Sequence, residues 1–308
     1  MSEYGFLVSL GVALGAAVIH RLAPRAGLSR NQGMDLVFWS VIGGIVGARL
    51  LYVALDWNLF YSLCFDPNSV LPEGLSCQQG SGCLPGQVCD GMWCRNVGDC
   101  FAFAKFWQGG WVFLGGVIGG IPAGILYLRL KRIAWINGIG LLAIGLPLGH
   151  VFGRIGCYFR GCCYGKHGAG WAHGVSMHAV QLYEAVGNVA IFLFVVWRFL
   201  QLTQRDEDRG APRVMSVVLG WYLILYGALR FVTELFRGDA IRGFFFEWHQ
   251  EWLARLLGVD PDAPLVLSTS QGVSLVMILL GLWLWRRAKT MATNSPVVKQ
   301  IDSTNPGP

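Results

Sequence analysis

Long apolar runs alternate with short polar segments along most of this chain. Seven runs approach the roughly 20 residues that a helix needs to cross a bilayer. They cover about 5–20, 34–55, 109–128, 134–153, 180–200, 214–236 and 266–285. The pattern predicts seven membrane-spanning helices. The second, third and fourth carry glycines at close intervals: Gly43, Gly44 and Gly47, then Gly115, Gly116, Gly119, Gly120 and Gly124. Small residues so placed let helices approach closely in lipid, and by themselves mark packing rather than a site.

Composition agrees with the pattern. Of 308 residues, 54% are hydrophobic and 14% charged, with a mean hydropathy of +0.49, whereas a soluble domain carries about a quarter charged residues. The fold class is an all-α integral membrane protein. Cations cluster in alternate connections: Arg21, Arg25 and Arg30; Arg129, Lys131 and Arg132; Arg198, Arg205, Arg209 and Arg213; and Arg286, Arg287 and Lys289 after the last run. Basic connections stay in the cytoplasm, which puts the amino terminus outside and the carboxyl terminus inside. This placement accounts for much of the net charge of +6, so the charge implies no nucleic-acid partner. Glu3 precedes the first span and no basic segment does, so that span does not read as a cleaved leader.

Cysteine spacing tests that topology independently. Cys64, Cys77, Cys83, Cys89, Cys94 and Cys100 share one connection, between spans two and three, expected outside. Six cysteines in a short polar segment facing an oxidising compartment read as a disulfide framework of up to three bridges. Their pairing is open, since six cysteines allow fifteen connectivities. Zinc is the rival, but the segment has no histidine and no repeated CxxC. Residues 62–104 are thus a cysteine-rich extracytoplasmic insertion within a membrane domain of residues 1–290, and 291–308 read as a flexible cytoplasmic tail.

Three stretches put chemistry beside the apolar runs. The first is GRIGCYFRGCCYG, residues 153–165, at the outer end of span four. Arg154 there can snorkel to the headgroup layer and offer a planar fork to phosphate or carboxylate. Its glycines permit a tight turn, tolerated at membrane depth only when it is protein-buried or lines a polar cavity. His150 lies one helical turn earlier on the same face, and also suits a buried histidine bonded to backbone. For Cys157, Cys162 and Cys163 three readings stand: a disulfide pinning the turn, a free thiolate activated by Arg154 or Arg160, or a metal site, disfavoured for want of a second ligand cluster.

The second stretch, HAVQLYEA, opens span five and sets His178, Gln181 and Glu184 on one helical face with Tyr183 beside them. An interfacial belt is the plainer account. The third, YGALRFVTELFRGD, runs Tyr226, Arg230, Glu234 and Arg237 in one polar stripe at the outer end of span six. Arg230 and Glu234 also fit a simple internal salt bridge, but ionisable residues within spans are costly and point to function. Arg49, in GARLLY, adds a cation to the outer half of span two.

An amino-terminal YG, then GAR, GG-V-F-x-GG, GRIG, H-x-x-QLYE and YG-x-x-R-x-x-x-E-x-x-R occur in that order. This ordered set resembles the bacterial prolipoprotein diacylglyceryl transferase family, over nearly all of the chain outside the cysteine loop and the tail. The resemblance implies transfer of a diacylglyceryl group from phosphatidylglycerol to the lipobox cysteine of a prolipoprotein signal peptide, with release of glycerol phosphate. It implies a multi-pass protein of the bacterial inner membrane, with its active site facing the outer side, membrane lipids around it and no cofactor or metal. By the same resemblance Arg154 and Arg230 hold the lipid phosphate, and Tyr4, Tyr226, Glu234 and Gly165 match other positions important in the family. Arg49, His178, Gln181, Tyr183, Glu184 and Arg237 complete the expected substrate-binding set.

Departures from the family pattern are also specific. Leu114 stands where the family has a histidine proposed as base, so His150 becomes the internal replacement. Cys157 replaces an asparagine and Cys162 a glutamate. Two other readings therefore accompany the transferase: a non-catalytic lipid- or lipoprotein-binding paralogue, and a membrane thiol oxidoreductase using Cys162 and Cys163.

Overall fold

The structure is a computed structural model that describes residues 3–71, 76–77, 83–90, 92–106, 110–172, 175–205, 210–237, 244–248, 255–256 and 266–293. Of the expected tail, residues 291–293 belong to the last helix and 294–308 lie outside the described residues. The chain is mostly helical: α1 (Glu3–Leu22), α2 (Arg30–Leu55), α3 (Trp57–Phe65), α4 (Phe113–Leu130), α5 (Trp135–Phe159), α6 (Val180–Arg205), α7 (Ala211–Glu234) and α8 (Thr269–Thr293). Among the described residues, five helices are long and apolar enough to cross a membrane: α1, α2, α5, α6 and α7. A helix also forms at each of the other two expected spans. The apolar part of α4, Leu114–Leu130, is shorter. In α8 the apolar stretch is bracketed by Gln271 and by Arg286–Arg287. Short α3 is an addition that the pattern did not single out.

Among the described residues, six short strands pair antiparallel in three two-stranded sheets: β1 (Gln87–Cys89) with β2 (Cys94–Asn96), β3 (His167–Ala172) with β4 (Val175–Met177), and β5 (Phe244–Trp248) with β6 (Val266–Ser268).

The chain divides into two compact units. One is Leu36–Tyr127 and the other comprises Met1–Asp35 with Leu128–Pro308. In the first unit α2 and α4 meet backbone to backbone. A Cβ on Gly115 would lie 2.9 Å from Ala48 Cα, and one on Gly47 would lie 2.8 Å from Gly119 Cα. The glycine runs are therefore packing surfaces, as expected for helices associating in lipid. The cysteine-rich segment is stapled by Cys64–Cys100, Cys77–Cys89 and Cys83–Cys94. Its apolar cluster is small, built on Leu63, Leu71, Ala102 and Phe60. A segment with so little core depends on cross-links.

In the second unit the helices run in alternating directions. Gly11 of α1 faces Gly149 and Phe152 of α5, while Gly15 faces Gly145. Gly220 and Gly227 of α7 face Gly281 and Ser274 of α8. Arg213 Nε donates to Ala288 O (3.0 Å), closing the other end of that pair. This antiparallel order sets Tyr4, the end of α5, the start of α6, the end of α7 and the start of α8 at one end of the unit. Arg21, Arg213 and Arg287 lie toward the opposite end.

Candidate active site

Glu184, in the first turns of α6, is 1% exposed and forms ion pairs with three arginines. Arg154 Nε approaches Oε2 at 2.5 Å. Arg230 Nη1 bonds Oε1, and Arg237 Nη1 lies 3.6 Å from the same oxygen. Thr233 Oγ1 also donates to Oε1 (3.3 Å). A second buried carboxylate, Glu234, takes Arg230 Nη2 at 3.2 Å and the Ser268 hydroxyl at 3.2 Å. Among the described residues three guanidiniums thus share two carboxylates, a formal charge of +1 over these five groups. In a poorly solvated interior that surplus favours an anionic partner.

Each element has a sequence reason for its place. Arg154 is in the last turns of α5, and Arg230 and Glu234 are one turn apart at the end of α7. Arg237 follows in an extended bridge with Gly165. Gly165 is caught between two chains: its N–H donates to His178 O (2.9 Å), and a Cβ there would lie 2.6 Å from the carbonyl oxygens of both His178 and Phe236. Only glycine fits this close approach. Ser268 caps α8 reciprocally with Gln271: Ser268 N–H donates to Oε1 (3.1 Å) and Gln271 N–H to Oγ (3.2 Å). This is the capping box that S-x-x-Q encodes. The same hydroxyl then reaches Glu234.

The expected site residues separate into groups. Arg154, Arg230, Glu234, Glu184 and Arg237 meet in one ion network. Gln181 Nε2 donates to Cys162 O (2.8 Å), holding the turn after α5. His178 packs on Phe236 (centroids 5.0 Å) and lies 3.4 Å from the Tyr183 hydroxyl. Tyr226 lies against the His150 ring at 4.8 Å and stacks on Tyr222. Among the described residues His150 Nδ1 is buried without a hydrogen-bond partner. Tyr4 packs at the end of α5, where a Cβ on Gly156 would meet its ring at 2.9 Å. Arg49 belongs to the other unit. Its guanidinium donates there to the carbonyls of Ala102 (2.7 Å), Phe103 (2.8 Å) and Gly110 (3.3 Å), a loop-holding role. Thr233, Ser268 and Asn188, whose side chain donates to Glu184 O (2.7 Å), were not singled out from the sequence.

The turn after α5 corrects one expectation. No disulfide joins Cys157, Cys162 or Cys163; all three are free thiols. Gly161 (φ +67°) and Cys163 (φ +61°) both take the left-handed conformation, uncommon for a cysteine. They curl the chain until the three sulfurs lie within 4.8 Å of one another. A hydrogen bond from the Cys157 thiol pulls Cys163 down to about 5, against its partial burial, with Cys162, Arg237 and Arg154 helping. Burial moves Cys162 upward instead.

The family model described as prolipoprotein diacylglyceryl transferase matches residues 1–287. The chain belongs to the prolipoprotein diacylglyceryl transferase family. Similar proteins of the family include one from Clostridium tetani, 25% identical over 92% of this chain and 91% of its own. One from Finegoldia magna is 27% identical over 77% of this chain and 79% of its own, and one from Cupriavidus necator is 28% identical over 95% and 89%. Each is named a phosphatidylglycerol–prolipoprotein diacylglyceryl transferase. Membership accords with the integral-membrane fold and with the order of the motifs along the chain.

Proposed function

We infer that this protein transfers a diacylglyceryl group from phosphatidylglycerol to the thiol of a lipobox cysteine on a prolipoprotein, releasing glycerol phosphate. The observation that carries this reading is the cation surplus around Glu184. Arg154, Arg230 and Arg237 converge in one place with two carboxylates between them, and a phosphate would balance the remaining charge. In the reaction the peptide sulfur attacks a glyceryl carbon of the lipid, a C–S bond forms and the C–O bond to phosphate breaks. Negative charge then grows on the departing glycerol phosphate. Guanidinium groups already fixed by Glu184 and Glu234 meet that charge without reorganising, the arrangement that favours a transition state over its ground state. Arg154, the most exposed of the three at 22% of its side chain, is the first available to a headgroup.

The site faces the outer side of a bacterial inner membrane on this reading. One feature of the unit supports it: Arg21, Arg213 and Arg287 lie toward the end opposite the site, as cytoplasmic cations would. The test uses purified protein in vesicles of phosphatidylglycerol with a lipobox peptide. Glycerol phosphate release and a peptide heavier by one diacylglyceryl group support the assignment, as does rescue of a bacterium depleted of its own transferase. Lipid binding with neither product formed refutes it in favour of a binding protein.

A further inference from the structure

We propose that Cys157, Cys162 and Cys163 form a three-thiolate site for Zn²⁺ whose fourth position takes the thiol of the acceptor peptide. The second half of the proposal rests on the transferase reading; the first half does not. Three sulfurs within 4.8 Å of one another are already close to a metal-bound triangle. Zinc–sulfur bonds of about 2.3 Å in a tetrahedral site set sulfur separations of about 3.8 Å, so each sulfur needs to move by 1 Å or less.

The backbone is built for this convergence. Cys163 holds a left-handed conformation that costs a non-glycine residue energy, and such strain persists where surroundings enforce it. Here Gln181, 1% exposed, anchors the Cys162 carbonyl from α6, and Cys162 N–H donates back to Cys157 O at 3.2 Å. Charge also suits a metal thiolate. Zinc with three thiolates carries a net −1, and Cys163 lies in the field of the Arg237 and Arg154 guanidiniums. The described cluster offers three protein donors, and all three cysteines remain partly exposed. Three ligands with access to a fourth is the arrangement of a reactive zinc site, whereas a structural site is closed by four.

The fourth position answers a chemical need of the proposed reaction. A free thiol is mostly protonated at neutral pH, and Glu184 and Glu234 are tied to arginines rather than free to take its proton. A thiol bound to zinc is deprotonated outright. The zinc-bound sulfur attacks the glyceryl carbon with its electron pair; the C–O electrons leave with glycerol phosphate, which takes up the displaced proton. No oxidant or reductant is consumed, and the metal keeps its charge.

The test takes the full chain purified without reductant, so that its three disulfides stay closed, and freed of metal by chelation. It is titrated with Zn²⁺, and separately with Cd²⁺ as a spectroscopic probe. The expected result is one metal per chain, a thiolate-to-cadmium charge-transfer band, and zinc protection of all three thiols from alkylation. Cys157→Ser and Cys163→Ser should each weaken binding, and the triple serine variant should abolish it. In phosphatidylglycerol vesicles, chelation should lower peptide modification by about 100-fold, the scale of a lost proton-removing group, and Zn²⁺ should restore it. A disulfide among the three in the isolated protein, or free alkylation at saturating Zn²⁺, overturns the site. Full turnover by chelated protein or by the triple variant overturns thiol activation. Zinc binding by a wild-type protein that never transfers lipid keeps the site and refutes the transferase reading.

Discussion

Glu184→Gln removes one charge from the centre of the ion network and little else. The glutamine keeps nearly the same volume and one carbonyl oxygen to accept from Arg230. Among the described residues Arg154, Arg230 and Arg237 then have one carboxylate, Glu234, between them, so the formal charge over these groups rises from +1 to +2 in a place where Glu184 is 1% exposed. Removing one partner of a buried ion pair typically costs about 3–5 kcal/mol, because the other charges stay behind. At about 2 °C per kcal/mol for a chain of this size, the midpoint should fall by roughly 6–10 °C. The assay is thermal unfolding in detergent, followed by tryptophan fluorescence. A second change checks the cause. Arg237→Gln on top of Glu184→Gln returns the surplus to +1, so the double variant should recover more than half of the loss. Such coupling is expected only for residues sharing one network. A midpoint for Glu184→Gln within 1 °C of wild type, or strictly additive effects in the double variant, would refute the reasoning.

Arg154→Ala and Arg230→Ala should each lower phosphatidylglycerol turnover by about 10–100-fold, the value of one charged hydrogen-bonding partner. Arg154→Lys should also be impaired, since an ammonium lacks the planar fork; headgroup release in vesicles measures all three. Gly165→Ala should destabilise the protein by about 1–3 kcal/mol, as overpacking does, because its methyl would press on two carbonyls at 2.6 Å; a thermal scan reads this directly. Non-reducing peptide mapping should recover Cys64–Cys100, Cys77–Cys89 and Cys83–Cys94 as linked pairs. In metal-free protein, iodoacetamide should label Cys163 ahead of Cys162 at pH 7, with the Cys163 rate reaching half its plateau near its pKa of about 5; equal rates at all pH values would contradict the thiol hydrogen bonds.

The fold was legible because membrane helices announce themselves locally. Backbone groups in lipid must bond within their own segment, so an apolar run and a helix nearly coincide, and α1, α2, α5, α6 and α7 formed where the hydropathy put them. Helix ends were less legible. Asp56 interrupts the run after Leu55, and α3 resumes immediately beyond it as nine residues, too few to register as a span. The capping boxes were written plainly, as Ser29 with Gln32 and Ser268 with Gln271, and they mark the starts of α2 and α8.

At the site, periodicity identified residues but not their partners. The stripe of Tyr226, Arg230, Glu234 and Arg237 and the face of His178, Gln181 and Glu184 could be read from spacing, which allowed an Arg230–Glu234 pair four residues apart. The stronger organiser is Glu184, whose ion partner Arg230 is 46 residues away. Spacing within one helix carries no record of which face another helix presents. The antiparallel packing of α6 on α7 decides that, and Gly187 fixes it by leaving room only for the Leu229 side chain. The meeting of Arg154, Arg230 and Arg237 with Glu184 and Glu234 in one cluster is likewise tertiary, and spacing along the chain did not give it. The cysteines invert the lesson: their proximity was evident in C-x4-C-C, yet their separate thiol state depended on two left-handed residues. Gly161 permits such a conformation freely, but nothing in the identity of Cys163 predicts it. The strain is set by the Gln181 bond to Cys162 and the chain's return toward Gly165, both tertiary, so the chemistry of this turn became readable only once α6 was in place.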